Sequence, residues 1–260
     1  MNNNNYIFTI ITVVKNEKKR LQETIKNIQK QTYRRIQYVI IDSASTDGTA
    51  ELIKKYEDYI NYWVSEPDNG IYDAMNKGLF KSDGEYILFL NAGDTFPDVN
   101  TLQNVADQIE QNGFPDFIYG DAFEIDVEGN HFLRHSRMSS HKTVGMFTHH
   151  QSMYYRREIV ERFNLRYDTS LQIAADYKFT CQFLEHARSE LYIAKPLSVF
   201  LQGGLSQIQW TKSMKEQIEV KRDVLKMSFW KIYMIYFMQL GWHVLKEKIP
   251  WLYRRIRFKR

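Results

Sequence analysis

Two rhythms of apolar residues alternate along the first third of this chain. Positions 6–14 are β-branched and aromatic almost without a break, the pattern of a strand buried on both faces. Leu21, Ile25 and Ile28 then recur at helical spacing, and 36–41 supplies a second unbroken apolar run. The alternation continues with a helix through Leu52 and Ile53, a short strand at 59–64, a helix over 71–80 and a strand at 86–90. Strand and helix exchanging at this pitch predict βαβ units, and so an α/β fold around a mostly parallel sheet.

After Asp94 the alternation loses its regularity. The spacing predicts a helix over 102–109, a strand at 117–119, and extended pieces around 124–134, 152–155 and 197–202. No repeat and no Gly/Ser linker interrupts this half, so it is expected to fold onto the same sheet. Gly203-Gly204 closes the body as a hinge-like pair, suited either to a turn or to a lid over a bound substrate. Two units follow: a body over 1–206 and a helical extension over 207–260.

Charge sharpens that division. The chain carries +4 overall, yet Lys212 to Arg260 holds thirteen Lys/Arg against four acids, a local +9 that leaves −5 on the rest. An acidic body excludes a general nucleic-acid binder, and a basic, aromatic end points to a surface-seeking appendage. The run 229–240 is aromatic and aliphatic but interrupted by Lys231 and Gln239, and it falls short of the roughly 20 apolar residues of a spanning helix. Interfacial attachment to anionic lipid, helped by Lys246, Lys248, Arg254, Arg255, Arg257, Lys259 and Arg260, is one reading. A helix packed on the body or in a homodimer is the other. The lone Cys181 has no disulfide partner, and 1–5 is a polar asparagine run without a leader pattern. Both features lead to an expectation of a cytoplasmic protein, peripheral at most on the inner face of the membrane.

Candidate chemistry sits in four polar loops. Asp42 closes the second strand, and Ser43, Ser45, Thr46, Asp47 and Gly48 form a tight turn into a helix. A carboxylate there can accept from a base or a ribose, whereas Thr46 or Asp47 can simply cap the helix. Asp68 and Gly70 lie in the loop before the third helix, with Asp73, Asn76 and Lys77 inside it. Asn91-Ala92-Gly93-Asp94 follows an apolar strand, which places Asp94 at its carboxyl end. Asp176 begins a helix in Ala175-Asp176-Tyr177, a position that also suits a dipole-stabilising acid. No GxxxxGK[ST] or GxGxxG is present, so a bound nucleotide would need another source of positive charge. Mn²⁺ or Mg²⁺ on Asp94 supplies it, since such ions prefer carboxylate and phosphate oxygens.

The order Thr12-Val13-Val14-Lys15-Asn16-Glu17, the Asp42 turn, Glu66-Pro67-Asp68-Asn69-Gly70 with its helix, and Asn91-Ala92-Gly93-Asp94 resembles the family 2 glycosyltransferases. The branch it is most similar to builds bacterial capsules and exopolysaccharides, and the resemblance covers 6–206. It implies a GT-A fold, a nucleotide-sugar donor of UDP type, a divalent cation, inversion at the anomeric carbon, and a saccharide or lipid-linked acceptor. It places Thr12, Val14, Asn16 and Glu17 near the nucleoside with Asp42 on the base. Ser45, Asp47, Asp68, Gly70, Asp73, Asn76, Lys77, Asn91, Ala92 and Gly93 then complete the donor site. Asp94 matches the last acid of the family's metal motif, and Asp176 its catalytic base. Asn91 and Gly93 stand where many members carry further acids, and Met75 where many carry arginine.

His150, Gln151, Tyr177, Gly203 and Gly204 are candidates for the acceptor side or a lid, and Trp63, Tyr72 and Tyr177 for stacking on sugar rings. Adjacent His149 and His150, read as a strand, face opposite ways, so at most one of them is expected to face the site. A non-catalytic nucleotide-sugar-binding subunit docked on a membrane assembly is the alternative function, motivated by the thin acid count at 91–94. A nucleotidyltransferase is disfavoured by the lack of a Gly/Lys-rich phosphate loop.

Overall fold

A computed structural model describes residues 6–126, 128–201 and 209–249. The first half follows the sequence pattern closely. Strands β1 (Phe8–Val14), β2 (Ile36–Asp42), β3 (Tyr62–Ser65) and β4 (Tyr86–Phe89) are connected through helices α1 (Lys18–Gln29), α2 (Thr49–Lys55) and α3 (Ile71–Phe80). The four strands are parallel in the order β3-β2-β1-β4. All seven residues of β1 are buried, as its unbroken apolar run requires of a strand with a neighbour on each side and helices on both faces. Val14 pairs with Asp42 and Asp42 with Ser65, so the carboxyl ends of three strands finish level. The polar loops therefore gather along one sheet edge.

The second half extends the sheet with mixed polarity. Helix α4 (Thr101–Gln111) leads to β5 (Phe117–Ile125) and β6 (His131–Arg134). Then come β7 (Met153–Arg156), α5 (Arg157–Arg162), α6 (Ala175–His186) and β8 (Glu190–Leu201). Strand β7 lies antiparallel between β4 and β5, β6 is antiparallel to β5, and β8 is parallel to it. Strand β8 is longer than the 197–202 piece expected. Pro196 hides its first half in the sequence, and the sheet accommodates the proline through register shifts around Asp121. The strand expected from 59 begins at Tyr62, after a 3₁₀ turn at Glu57–Tyr59.

Alternation along β1 divides the core into two layers. Ile11 and Val13 face one cluster with Met75, Phe89, Tyr155, Phe179 and Phe183, while Phe8, Ile10 and Val14 face another with Leu21, Ile25, Leu102 and Val105. Helix α7 (Trp210–Asp223) contributes Val220, and the residue after it, Val224, joins the first cluster, so the stretch read as an extension from 207 shares the body's interior here. Helix α8 (Phe229–Lys248) buries Ile232 and Ile235 and is tied down by Gln239 Nε2 donating to Val144 O at 2.9 Å. Gly203 and Gly204, the hinge pair, and the basic residues from Arg254 to Arg260 lie outside the described residues.

Candidate active site

The loop after β1 and the loop after β2 hold each other. Asn16 takes a positive φ of 52°, which lets its backbone N–H donate to Ser45 Oγ at 2.7 Å while its Oδ1 accepts from Thr46 N at 2.8 Å. Asp47 accepts from Lys18 N at 3.0 Å and from Thr49 N at 3.1 Å. One exposed carboxylate therefore caps the starts of α1 and α2, and the hydrogen bond from the Thr49 hydroxyl, then that from Lys18 N, holds its pKa below the usual range. Asp42 is fully buried. Its oxygens accept from the Ser65 hydroxyl at 2.5 Å, from Ser45 N at 3.2 Å and from the Ser45 hydroxyl.

Beside these loops, 91–94 packs on α1. Thr24 Oγ1 donates to Asp94 O at 2.9 Å and accepts from Gly93 N at 2.9 Å. Gly93 has φ 99°, a conformation that favours glycine, and a Cβ there would press on the Arg20 side chain at 3.1 Å. Asp94 is buried, with Gln151 Nε2 donating to its Oδ2 at 3.0 Å. Burial pushes its pKa up to about 7, against the lowering effects of Gln151, the Asn91 backbone and the Arg20 charge.

Gln151 belongs to a 3₁₀ turn, His150–Ser152, which delivers two groups in different directions. Gln151 reaches Asp94, while His150 Nε2 meets Asn91 Nδ2 at 3.3 Å and Nδ1 faces Asp176 Oδ2 at 3.8 Å. With the Asn91 amide donating to Nε2, the ring proton is on Nδ1, toward Asp176. Burial pushes the His150 pKa down to about 4, which keeps the ring neutral at pH 7. Asp176 stands in the first turn of α6 with about a fifth of its side chain exposed. Burial raises its carboxyl to about 6, despite the backbone hydrogen bond from Tyr177 N at 2.8 Å. The result is a carboxylate that ionises near neutrality at an open face, which suits a general base.

Among the described residues no three His, Cys, Asp or Glu converge on one point, so an all-protein metal cage does not fit. What does fit is a hard cation sharing its shell with phosphates and water. Asp94 supplies a carboxylate, and Asn91 Oδ1 and Gln151 Oε1 are buried oxygens with no hydrogen-bond partner.

A family model described as glycosyl transferase family 2 matches residues 9–176, which is more than half of the chain and ends on Asp176. The chain belongs to glycosyl transferase family 2. Among curated family relatives, an uncharacterized glycosyltransferase of Mycobacterium tuberculosis is 29% identical over 174 residues, covering 66% of each chain. A PGL/p-HBAD biosynthesis glycosyltransferase of Mycobacterium bovis is 28% identical over 66% of this chain and 68% of its own. The uncharacterized EpsJ of Bacillus subtilis is 24% identical over 87% and 70%. Among solved structures, Staphylococcus aureus TarS 1–349 in complex with UDP-GlcNAc superposes with a TM-score of 0.70 at 18% identity, over 93% of this chain and 76% of that one. A Pyrobaculum calidifontis mannosyltransferase, in complex with GDP-Man and Mn²⁺, gives 0.65 at 17% over 86% and 65%. The family 2 chain thus has the GT-A fold, a central mostly parallel sheet flanked by helices.

Several residues read from sequence as ligand contacts have other work in the family 2 structure. Thr12 is sealed in the sheet, donating to Leu90 O at 2.6 Å and accepting from Tyr38 OH at 3.2 Å, and Val14 is core. Both side chains are buried in the sheet. Tyr72 and Tyr177 are buried, with hydroxyls spent on Ile173 O and Lys142 O, and Trp63 packs on the core. Tyr72 and Tyr177 are thus interior, whereas Trp63 is only partly buried. Asn76 exchanges 2.8 Å hydrogen bonds with the Tyr167 backbone. Asp68 accepts from Gly70 N at 3.0 Å and from the Ser43 hydroxyl. Asp73 accepts from Asn69 N at 3.1 Å, and Lys77 pairs with Glu66 at 2.7 Å. This set shapes the loop ahead of α3, where Gly70 takes φ 112°. Glu17 is paired with Arg20 at 3.1 Å. His149 and His150 do diverge, but from a 3₁₀ turn rather than a strand; His149 turns to Glu124 at 3.1 Å. Arg20, exposed beside Gly93, and Glu216, on α7, were missed. An arginine on a helix surface and an acid far along the chain carry no signal until the loops they touch are placed.

Proposed function

We propose that this family 2 protein is an inverting glycosyltransferase that moves a sugar from a nucleotide donor of UDP type onto a saccharide or lipid-linked acceptor in bacterial surface polysaccharide synthesis. The observation carrying the proposal is the single cluster Asp94–Gln151–His150–Asp176, in which a buried acid and a base-like acid from distant sequence positions meet at one sheet edge. The relatives' PGL/p-HBAD biosynthesis and EpsJ names and the neighbours' UDP-GlcNAc and GDP-Man complexes support donor and pathway class.

In this reading the donor nucleoside lies over 16–17 and 45–47, with the diphosphate toward 91–94 and Arg20. Asp94, with Asn91 Oδ1 and Gln151 Oε1, would hold Mn²⁺ or Mg²⁺. That ion supplies charge stabilisation to the leaving diphosphate. Asp176 accepts the acceptor's hydroxyl proton as the oxygen attacks the anomeric carbon. The carbon–oxygen bond to phosphate breaks, its electron pair leaves with the nucleoside diphosphate, and one displacement inverts the centre. Neutral His150 orients Asp176 without competing for that proton.

Purified protein given UDP- and GDP-sugars should release nucleoside diphosphate with Mn²⁺ and stop with EDTA. Asp176→Asn should lose transfer by at least about 10²-fold while still binding nucleoside diphosphate. Full transfer in that variant removes the base role. Donor binding without turnover on any acceptor instead supports the non-catalytic subunit.

The extension is part of the same proposal. Helix α8 presents Phe229, Trp230, Met234 and Phe237 to solvent, Trp230 at 82% exposure, with Lys231 beside them. No helix among the described residues is long and apolar enough to cross a membrane. An interfacial seat on anionic lipid at the cytoplasmic face fits these exposed aromatic side chains with Lys231 and would bring the site to a lipid-linked acceptor.

A further inference from the structure

Three consecutive backbone N–H groups in the loop before α6 converge on one side chain. Gln172 N donates to Glu216 Oε1 at 3.1 Å, and Ile173 N and Ala174 N donate to Oε2, each at 2.8 Å. Glu216 reaches them from α7 and is 8% exposed, so both of its oxygens are engaged by backbone inside the fold. Successive N–H groups of this kind form an anion cradle, and a carboxylate ahead of a helix N-terminus also meets the positive end of the helix dipole. Ala174 caps α6, and Asp176 follows two residues later. From the opposite side, Tyr72 OH donates to Ile173 O at 2.7 Å. The loop is therefore gripped by its N–H groups from α7 and by a carbonyl from α3.

We propose that Glu216 is a positioning residue for sugar transfer, holding 172–174 so that Asp176 is presented toward His150. The inference rests on Asp176 acting as the base. It also means that α7, which lies beyond the stretch matched by the family model, completes the active site. An ionised acid suits the cradle because both oxygens only accept; glutamine has one acceptor oxygen and turns an NH₂ toward donors.

The test compares Glu216→Gln with Val220→Ala, a core truncation on the same helix that leaves the cradle intact. Amide hydrogen exchange on the ligand-free proteins should show at least about tenfold faster exchange at 172–176 in Glu216→Gln, with β1 and β4 unchanged. Turnover of the UDP-sugar that the wild type accepts should fall at least about tenfold in kcat, with donor KM within about twofold. Val220→Ala should lower the melting temperature but keep kcat. Unchanged exchange at 172–176, or kcat losses in the two variants that track melting temperature alone, overturns the proposal. A wild type that turns over no sugar nucleotide counts against the transferase reading, while the exchange comparison still decides the role of Glu216 in the loop.

Discussion

Asp176 shows what a single residue costs and gains by its position. Burial raises its carboxyl from the ordinary 3.8 to about 6, so between those values the folded protein keeps a proton that the unfolded chain has released. Stability carried by the neutral acid is thus present at low pH and lost as pH rises through about 6. As the proposed base, Asp176 would act in the ionised state that destabilises the fold. Asp176→Asn should therefore raise the melting temperature at pH 8 but not at pH 4, a gain of at most about 2–3 kcal/mol for a shift of roughly two units. Thermal melts at the two pH values check it, and wild-type turnover should climb as pH increases through about 6. From sequence alone Asp176 is equally readable as a helix-start acid. His150 and Gln151 support the proposed base role, because the turn that carries them aims one side chain at Asp176 and the other at Asp94.

Among the elements, the pair β1 and α3 and the start of β4 are packed too closely for side chains at two points. A Cβ on Gly78 would lie 2.4 Å from Ile11 Cγ2, and one on Gly84 would lie 2.6 Å from the Phe8 and Thr9 backbone. Side chains can yield but backbone cannot, so Gly84→Ala should destabilise by about 1–3 kcal/mol or more, and more than Gly78→Ala. Denaturant unfolding of the two variants measures the difference. These elements were legible in the sequence because both faces of β1 are covered, and burial of that kind leaves an unbroken apolar run. Strand β8 was half legible, because Pro196 interrupts the pattern and only pairing with β5 shows that the strand continues. The packing of Thr12 was illegible for a related reason. A polar residue near a strand end resembles a ligand contact until Leu90 O and Tyr38 OH are seen to satisfy it.

For the whole molecule, the body and its last helices divide the labour. Helix α7 shares the core and grips the Asp176 loop, whereas α8 covers little and leaves its aromatic face outward. Removing apolar bulk from that face, as in Trp230→Ser with Phe237→Ser, should abolish sedimentation with phosphatidylglycerol vesicles and leave nucleoside diphosphate release in solution within about twofold. Wild-type protein that ignores vesicles but migrates as a dimer would instead assign the face to a second copy. The sequence by itself determined the βαβ half, the polar loops at its carboxyl edge, the family, and the basic end of the chain, since periodicity, turn chemistry and charge are local properties. Only the tertiary structure decided which acids are buried, which are already satisfied, and which share a site. Those properties depend on partners such as Gln151, Thr24 and Glu216, which come close only when the sheet and its helices pack.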